Sequence, residues 1–212
     1  EFAIRAGPVD QRLVDMAGMG HARQVAADRE AGQPAGQGQG LKQRMAEHGV
    51  LPLASDDFTV VVLRQATVYG YSPRMRFDLA INGMVFGAWK TGKLPLMRDG
   101  SQWRPMVHVR DTARAQIFML SAPADKVNGQ IFNVGSDENN YQIGPLAQIV
   151  ADTLPNEVAI EWYGDPDHRS YRVAFDKIEA LGFKAELTAV DGVRDVLAAL
   201  EDGRTDKTTQ TI

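Results

Sequence analysis

The stretch RDGSQWRPMVHVRDTARA, residues 98–115, predicts a turn, a strand and a helix in this 212-residue chain. Its middle, PMVHV (105–109), has the apolar, β-branched composition of a short buried strand. The glycine-containing segment DGSQW before it indicates a turn. The following residues, Asp111–Leu120, predict a helix that begins with a capping Asp111 and has Ala113 and Ile117 on its inner face.

Strands and helices continue to alternate on both sides of this stretch. The predicted strands are FTVVVLR (58–64), QIFNVG (130–135) and VAIEWY (158–163). The predicted helices run from Phe77 to Trp89, from Ile143 to Leu154 and from Val190 to Leu200. Thr188 and Asp191 have capping-box spacing before the last helix, whereas Asn139, Asn140 and Tyr141 predict a turn and cap. The alternation predicts an α/β fold.

The composition excludes several classes of protein. A hydrophobic content of 44% allows one substantial core, and a net charge of -4 without a basic tract argues against nucleic-acid binding. The absence of cysteine excludes disulfides and thiol catalysis and favours a cytoplasmic location. No apolar run approaches the roughly 20 residues that span a bilayer, so no membrane partner is expected. The four histidines lack metal-site spacing, and no metal is predicted.

Residues 1–40 differ in composition from the rest of the chain. They contain seven Gly, eight Ala and five Gln, and they are expected to be weakly ordered or marginally helical. Their composition suggests a GC-rich gene read in another frame, and the initial Glu-Phe resembles a cloning scar. At the other end, residues 204–212 are polar and are expected to form a frayed tail.

Four stretches, taken in order, resemble the C-terminal half of the extended short-chain dehydrogenases, the NAD-dependent epimerases and dehydratases of nucleotide sugars. They are LRQATVYGYSPR (63–74), residues 98–115, GQIFNVGSDENNYQIGPLAQIVAD (129–152) and DPDHRSYRVAFDKIEALGF (165–183). The resemblance implies an isomerase or oxidoreductase relationship. It also implies that residues 41–203 form the substrate lobe of that fold, with an incomplete Rossmann-like sheet.

The family's catalytic Tyr-x-x-x-Lys pair is incomplete in this chain. The segment LKQRMAEHGVLPLA (41–54) resembles the second half of the catalytic helix and places Lys42 at the family's lysine. Gly38 stands where the tyrosine belongs, no tyrosine precedes Tyr69, and no G-x-x-G-x-x-G motif is present. The resemblance implies NAD or NADP as cofactor. We nevertheless expect that this chain alone neither binds the cofactor nor catalyses the family's reaction.

The resemblance also implies which residues contact the nucleotide sugar. Arg104 falls where the family binds the diphosphate with a guanidinium group, and the alternative is a surface arginine beside Asp99 or Asp111. Arg169 and Tyr171 fall where a second arginine reaches the same diphosphate. Arg172 is an alternative to Arg169, and a solvated loop of mixed charge is an alternative to both.

Further candidates lie near the strand that follows the catalytic helix. Asn82 is expected to contact a phosphate or base, or to be an exposed helix residue. Thr67 and Val68 are expected between the nicotinamide and the sugar, or simply to pack in the fold. Tyr69 is expected to close a turn, and His108 to be a buried structural residue of its strand.

Two classes of function follow from these observations. The chain is either a truncated relative of nucleotide-sugar epimerases and dehydratases, at most binding a nucleotide sugar, or a non-catalytic module with association only. A third reading is half of a split enzyme completed by another chain. The strand FTVVVLR predicts an exposed sheet edge, and therefore a homo-oligomer or coverage of that edge by residues 1–40.

Overall fold

The structure is a computed structural model that describes residues 38–97, 99–165 and 169–205. The expectations for residues 1–37 and 206–212 fall outside the described residues. The chain divides into two compact units. The first comprises Glu1–Val62 and Ala122–Ile131, and the second comprises Leu63–Ser121 and Phe132–Ile212.

Helices and strands alternate along the described chain, as the sequence predicts. The helices are α1 (Gly38–Val50), α2 (Ala80–Thr91), α3 (Val109–Leu120), α4 (Ala124–Val127), α5 (Ile143–Thr153), α6 (Asp176–Glu179) and α7 (Ala189–Glu201). The strands are β1 (Val61–Gln65), β2 (Thr67–Tyr69), β3 (Lys93–Met97), β4 (Trp103–His108), β5 (Gln130–Val134), β6 (Asn140–Gln142) and β7 (Ala159–Tyr163). No described helix is both long and apolar enough to cross a membrane.

In the first unit, Asn128 joins two loops through its side chain. Its Oδ1 accepts a hydrogen bond from the Val60 amide at 2.9 Å, and its Nδ2 donates to the Ser55 carbonyl at 2.8 Å. The Gly129 amide donates to the Val60 carbonyl at 2.8 Å. These bonds satisfy the backbone groups where the chain leaves the short helix α4 and enters β5.

The strands form small sheets with mainly parallel pairs. β2 runs parallel to β4, and β3 runs parallel to β7. β6 is antiparallel to β4 in a three-stranded sheet with the order β2, β4, β6, and β1 pairs with β5. The turn and cap predicted at Asn139 and Asn140 are therefore only part of the local structure, because β6 begins at Asn140. Association through the edge of β1 stays a prediction.

The core of the second unit lies between α2, α5 and α7 and the strands β2 to β4. Ile81, Val85, Leu146, Val193 and Val196 are all fully buried in it. Burying a side chain of this size stabilises a fold by about 1.5–3 kcal/mol. The apolar spacing that predicted these three helices reflects this shared core.

The predicted inner face of α3 is wrong. Ala113 is exposed and Ile117 is 66% exposed, whereas Asp111, Ala115 and Met119 form the buried face. These three residues are spaced by four, so they lie on one side of the helix. The buried side of α3 thus begins with a carboxylate, which an apolar pattern cannot reveal.

Asp111 is buried because its carboxylate accepts several hydrogen bonds. Its Oδ2 accepts from the amides of Glu186 and Leu187 at 3.0 and 2.8 Å, and Arg114 donates to its Oδ1 at 2.6 Å. A buried carboxylate is stable only with such partners. Asp111 therefore does not cap α3 as predicted, and the cap residue is His108, whose ring accepts from the Arg110 amide.

The start of α7 packs directly on the ring of Tyr69. The predicted capping box of Thr188 and Asp191 is present. One turn into the helix, Gly192 lies so close that a Cβ atom would be 2.4 Å from two atoms of the Tyr69 ring. The Tyr69 hydroxyl donates to the Leu187 carbonyl at 3.2 Å, so the ring has little freedom to move.

We predict that Gly192→Ala lowers the free energy of unfolding by about 1–3 kcal/mol, because the added methyl overlaps the Tyr69 ring. Gly49→Ala is the matched control, since Gly49 also lies in a helix but has open space around its Cβ position. There the change should be neutral or stabilising by up to about 1 kcal/mol. Urea denaturation followed by circular dichroism measures both, and an unchanged midpoint for Gly192→Ala would contradict the packing described.

Candidate functional site

A cavity of about 360 Å³ lies within the second unit. Residues of β2, β3 and β4, the segment that leads into α2, and the start of α5 contribute to its walls. Its apolar wall includes Phe77, Met84, Leu96, Met106 and Ile143. A concave, partly apolar space with a few polar groups is the usual form of a small-molecule site.

Six side chains with polar groups line this cavity. They carry two hydroxyls, one carboxylate, one amide and two guanidinium groups: Thr67, Tyr163, Asp78, Gln102, Arg104 and Arg169. Three of them, Thr67, Arg104 and Arg169, are predicted site residues that lie far apart in the sequence. The fold brings these three residues to one cavity.

Arg104 is oriented by backbone carbonyl groups. Its Nη1 donates to the Trp103 carbonyl at 2.8 Å and also to the Arg169 carbonyl. Its guanidinium lies 5.4 Å from the centre of the Tyr171 ring. The Trp103 amide donates to Ser170 Oγ at 3.0 Å, so residues 169–171 lie along the first residues of β4. Both arginines are thereby placed by the same local structure.

The two alternative arginines of the late segment occupy different environments. Arg169 lines the cavity, whereas the guanidinium of Arg172 lies 4.8 Å from the centre of the Trp103 ring. Of these two arginines, Arg169 is the one that lines the cavity together with Arg104.

Asp78 contributes a negative charge to the cavity. Arg76 donates to both of its carboxylate oxygens, at 3.1 and 2.5 Å. These hydrogen bonds lower the pKa of Asp78 below its ordinary value, so the carboxylate is ionised at neutral pH. Sequence reasoning missed Asp78, because it lies in an irregular segment before α2 without a recognisable pattern.

The turn before Arg104 is joined to the first turn of α5. The Gly144 amide donates to the Gly100 carbonyl at 2.7 Å, and the Ile143 amide donates to the Gln102 carbonyl at 3.0 Å. Gly100 has a φ of 75°, and a Cβ atom there would lie 3.1 Å from the Gly144 backbone. The first amides of α5 already donate to carbonyls of this turn, so they are not available to bind an anion.

Asn82 is buried and does not line the cavity. Its Oδ1 accepts from the Gly70 amide at 3.0 Å, and its Nδ2 donates to the Arg76 carbonyl at 3.2 Å. Both ends of the amide therefore fix the loop between β2 and α2. The contact of Asn82 with a phosphate or base stays a prediction, whereas the alternative of an exposed helix residue is wrong, because Asn82 is only 3% exposed.

Two other predicted residues, Val68 and Tyr171, also lie outside the cavity wall. Val68 is aligned with Val107 between β2 and β4. Tyr171 is 51% exposed and stacks beside Arg104. Lys42 belongs to α1 in the first unit, and its side chain falls outside the described residues.

His108 is a fully buried residue at the end of β4, as predicted. Its Nδ1 accepts from the Arg110 amide at 3.2 Å, so the neutral ring has its proton on Nε2, which lies 3.2 Å from Asp195 Oδ2. Burial lowers the pKa of His108 and outweighs the opposing attraction of Asp195; Arg110 lowers it further, and Asp111 and Asp191 raise it slightly. The ring packs edge-on against Tyr69.

We predict that His108 makes stability depend on pH. Because its folded pKa is lowered, the folded state binds fewer protons than the unfolded state below the ordinary value of about 6.5. Stability from His108 is therefore present above that value and is lost as pH falls through it towards the folded pKa. Urea denaturation at pH values from about 5 to 8 gives the free energy of unfolding at each pH. This free energy should rise less steeply with pH for His108→Gln than for the wild type. Equal slopes would contradict a neutral, buried ring.

Comparison with known proteins identifies relatives of this chain. A sequence model described as the NAD dependent epimerase/dehydratase family matches residues 23–135, more than half of the chain. The UDP-D-apiose/UDP-D-xylose synthase of Oryza sativa subsp. japonica is 35% identical over 63 residues, which are 30% of this chain and 16% of the synthase.

Solved structures resemble this chain over most of its length. The dTDP-glucose 4,6-dehydratase of Bacillus anthracis str. Ames, in complex with NAD, matches with a TM-score of 0.68 and 22% identity over 84% of this chain and 56% of that one. The UDP-glucuronic acid 4-epimerase of Bacillus cereus, in complex with UDP-glucuronic acid and NAD, has a TM-score of 0.58 and 20% identity over 69% and 46%. The chain thus spans about half the length of these solved relatives, and the predicted α/β fold class is confirmed.

Proposed function

This chain belongs to the NAD dependent epimerase/dehydratase family, and from that membership we propose that its cavity binds a nucleoside diphosphate sugar. The observation that supports this most directly is the presence of Arg104 and Arg169 on one cavity. Two guanidinium groups offer planar pairs of N–H donors to a diphosphate. In this proposal the diphosphate lies between the two arginines.

The remaining lining groups suit the neutral parts of such a ligand. The Asp78 carboxylate already pairs with Arg76, which reduces its repulsion of phosphate. Its oxygens can accept hydrogen bonds from sugar hydroxyls. Phe77 and Tyr163 provide aromatic surface for a base or sugar ring. The named relatives include an epimerase bound to UDP-glucuronic acid, which is consistent with this class of ligand.

The described starts of α5 and α7 do not offer the site that a dinucleotide cofactor needs. A dinucleotide diphosphate requires open backbone amides at a helix N-terminus after a glycine-rich turn. The first amides of α5 donate to the carbonyls of Gly100 and Gln102, and Thr188 and Asp191 form a capping box at the start of α7. Gly38 also stands where the family's tyrosine belongs. We therefore propose ligand binding, and no epimerase or dehydratase turnover, for this chain by itself.

We predict that calorimetry with UDP-, GDP-, CDP- and dTDP-sugars detects binding of at least one ligand by the wild type. Arg104→Ala and Arg169→Ala should each weaken it by roughly 10- to 100-fold, since each removes charge-assisted hydrogen bonds to phosphate. Arg172→Ala is the matched control, because Arg172 contacts Trp103 and does not line the cavity, and its affinity should stay within about twofold.

Two outcomes would reject this assignment. The absence of heat from every nucleotide sugar at millimolar concentration would favour the association-only module. A loss of affinity in Arg172→Ala but not in Arg169→Ala would move the second phosphate contact to Arg172. Circular dichroism of each variant separates a loss of binding from a loss of folding.

A second prediction concerns the cofactor. NADH titrated against the fluorescence of Trp89, Trp103 and Trp162 should give no saturable quenching in the micromolar range, because the first amides of α5 and α7 are already bonded within the protein. Turnover should also be undetectable, since loss of a general acid/base costs roughly 10²- to 10⁴-fold in rate. Saturable quenching would show that residues 1–37 complete a dinucleotide site.

A further inference from the structure

Gln102 is the buried amide of the cavity. The residue is only 5% exposed, yet it lines the cavity together with Arg104. Its Oε1 is buried and has no hydrogen-bond partner among the residues that the structure describes. Buried polar atoms are nearly always paired in native proteins, so an unpaired acceptor in a cavity wall calls for a partner.

The backbone around Gln102 is held in place by hydrogen bonds to residues 142–144. The Gln102 carbonyl accepts from the Ile143 amide at 3.0 Å, and the Ser101 carbonyl accepts from Gln142 Nε2 at 2.9 Å. The neighbouring Gly100 bonds to Gly144. Three consecutive residues of the turn are thus fixed to the start of α5, and they hold the amide at the cavity wall.

The position of Gln102 also indicates which part of a ligand it can reach. It precedes Arg104 by two residues, and both side chains line the same cavity. Residues at this spacing along an extended chain are separated by roughly 6–7 Å, about the size of one sugar or ribose ring. A group bonded to Gln102 therefore adjoins the phosphates bonded to Arg104.

We propose that Gln102 determines ligand specificity by accepting a hydrogen bond at Oε1 from the part of the ligand that adjoins the diphosphate. The donor is a hydroxyl or ring N–H, which the nucleoside or the sugar can supply. This assignment rests on the proposed function. It goes beyond the charge recognition by Arg104, because the Oε1 acceptor finds no donor on an ionised inorganic diphosphate and discriminates among ligands by their donors.

The test uses Gln102→Met, which keeps the shape of the side chain and removes its polar atoms. Removal of an unpaired buried acceptor should raise the melting temperature of the ligand-free protein by roughly 2–8 °C. The same change should weaken binding of the nucleotide sugar by about tenfold. Affinity for inorganic pyrophosphate should stay within about twofold, because the arginines are unchanged. This opposite effect on stability and affinity is not expected of a merely structural glutamine.

Matched controls make each result decisive. Gln148→Met changes an exposed glutamine of α5, which donates to Asp152, and should alter neither ligand's affinity. Comparing UDP with the UDP-sugar identifies the donor: a tenfold loss for both assigns it to the nucleoside, and a loss for the UDP-sugar alone assigns it to the sugar.

Failure of this inference is distinguishable from failure of the proposed function. If Arg104→Ala weakens binding but Gln102→Met binds nucleotide sugar like the wild type, Gln102 has no role and the cavity assignment stands. If Gln102→Met weakens pyrophosphate equally, its effect is general and the specificity role is rejected. A lowered melting temperature in both Gln102→Met and Gln102→Leu would show that the amide is satisfied in the protein, which also overturns the proposal. If the wild type binds no nucleotide sugar, both assignments fail.

Discussion

The cavity depends on the close contact between Gly100 and Gly144. The Gly144 amide reaches the Gly100 carbonyl at 2.7 Å, and a Cβ atom on Gly100 would meet the Gly144 backbone at 3.1 Å. This contact joins the turn before β4 to the first turn of α5. It sets where Gln102 and Arg104 project, and it uses backbone amides that could otherwise bind an anion. In the proposed function, the phosphates are therefore recognised by the arginine side chains and not by the start of α5.

Much of the fold could be predicted from the sequence, because long helices and buried strands have strong patterns. α5 and α7 follow their apolar stripes, and the Thr188–Asp191 capping box is present. Strands β2, β3 and β6 were missed: β2 and β6 have three residues each, too few to show a period, and β3 contains Pro95, which is unusual within a strand. The face of α3 was wrong for another reason: Asp111 is buried by hydrogen bonds to amides of residues 186 and 187, which are distant in sequence.

Some features of the candidate site can be predicted from a sequence pattern, and others become visible only in the folded structure. Arg104 and Arg169 were expected from the resemblance, and the structure places both on one cavity. Gln102 lies two residues before Arg104, so strand alternation could have indicated that the two share a side. Nothing in the sequence indicates that its Oε1 lacks a partner, because that depends on every group packed around it. The pairing of Asp78 with Arg76 is likewise a property of the folded loop.

Under the proposed function, Arg104 would bind the ligand without any part in catalysis. Its guanidinium donates to the carbonyls of Trp103 and Arg169, so its orientation is fixed before a ligand arrives. Carbonyl groups have no net charge, so these two hydrogen bonds orient the guanidinium and do not themselves neutralise it. A diphosphate would then meet a cation that loses little further conformational entropy on binding. Chemistry on the sugar requires a dinucleotide and a general acid or base as well, and those needs are physically separate from recognition of the phosphates.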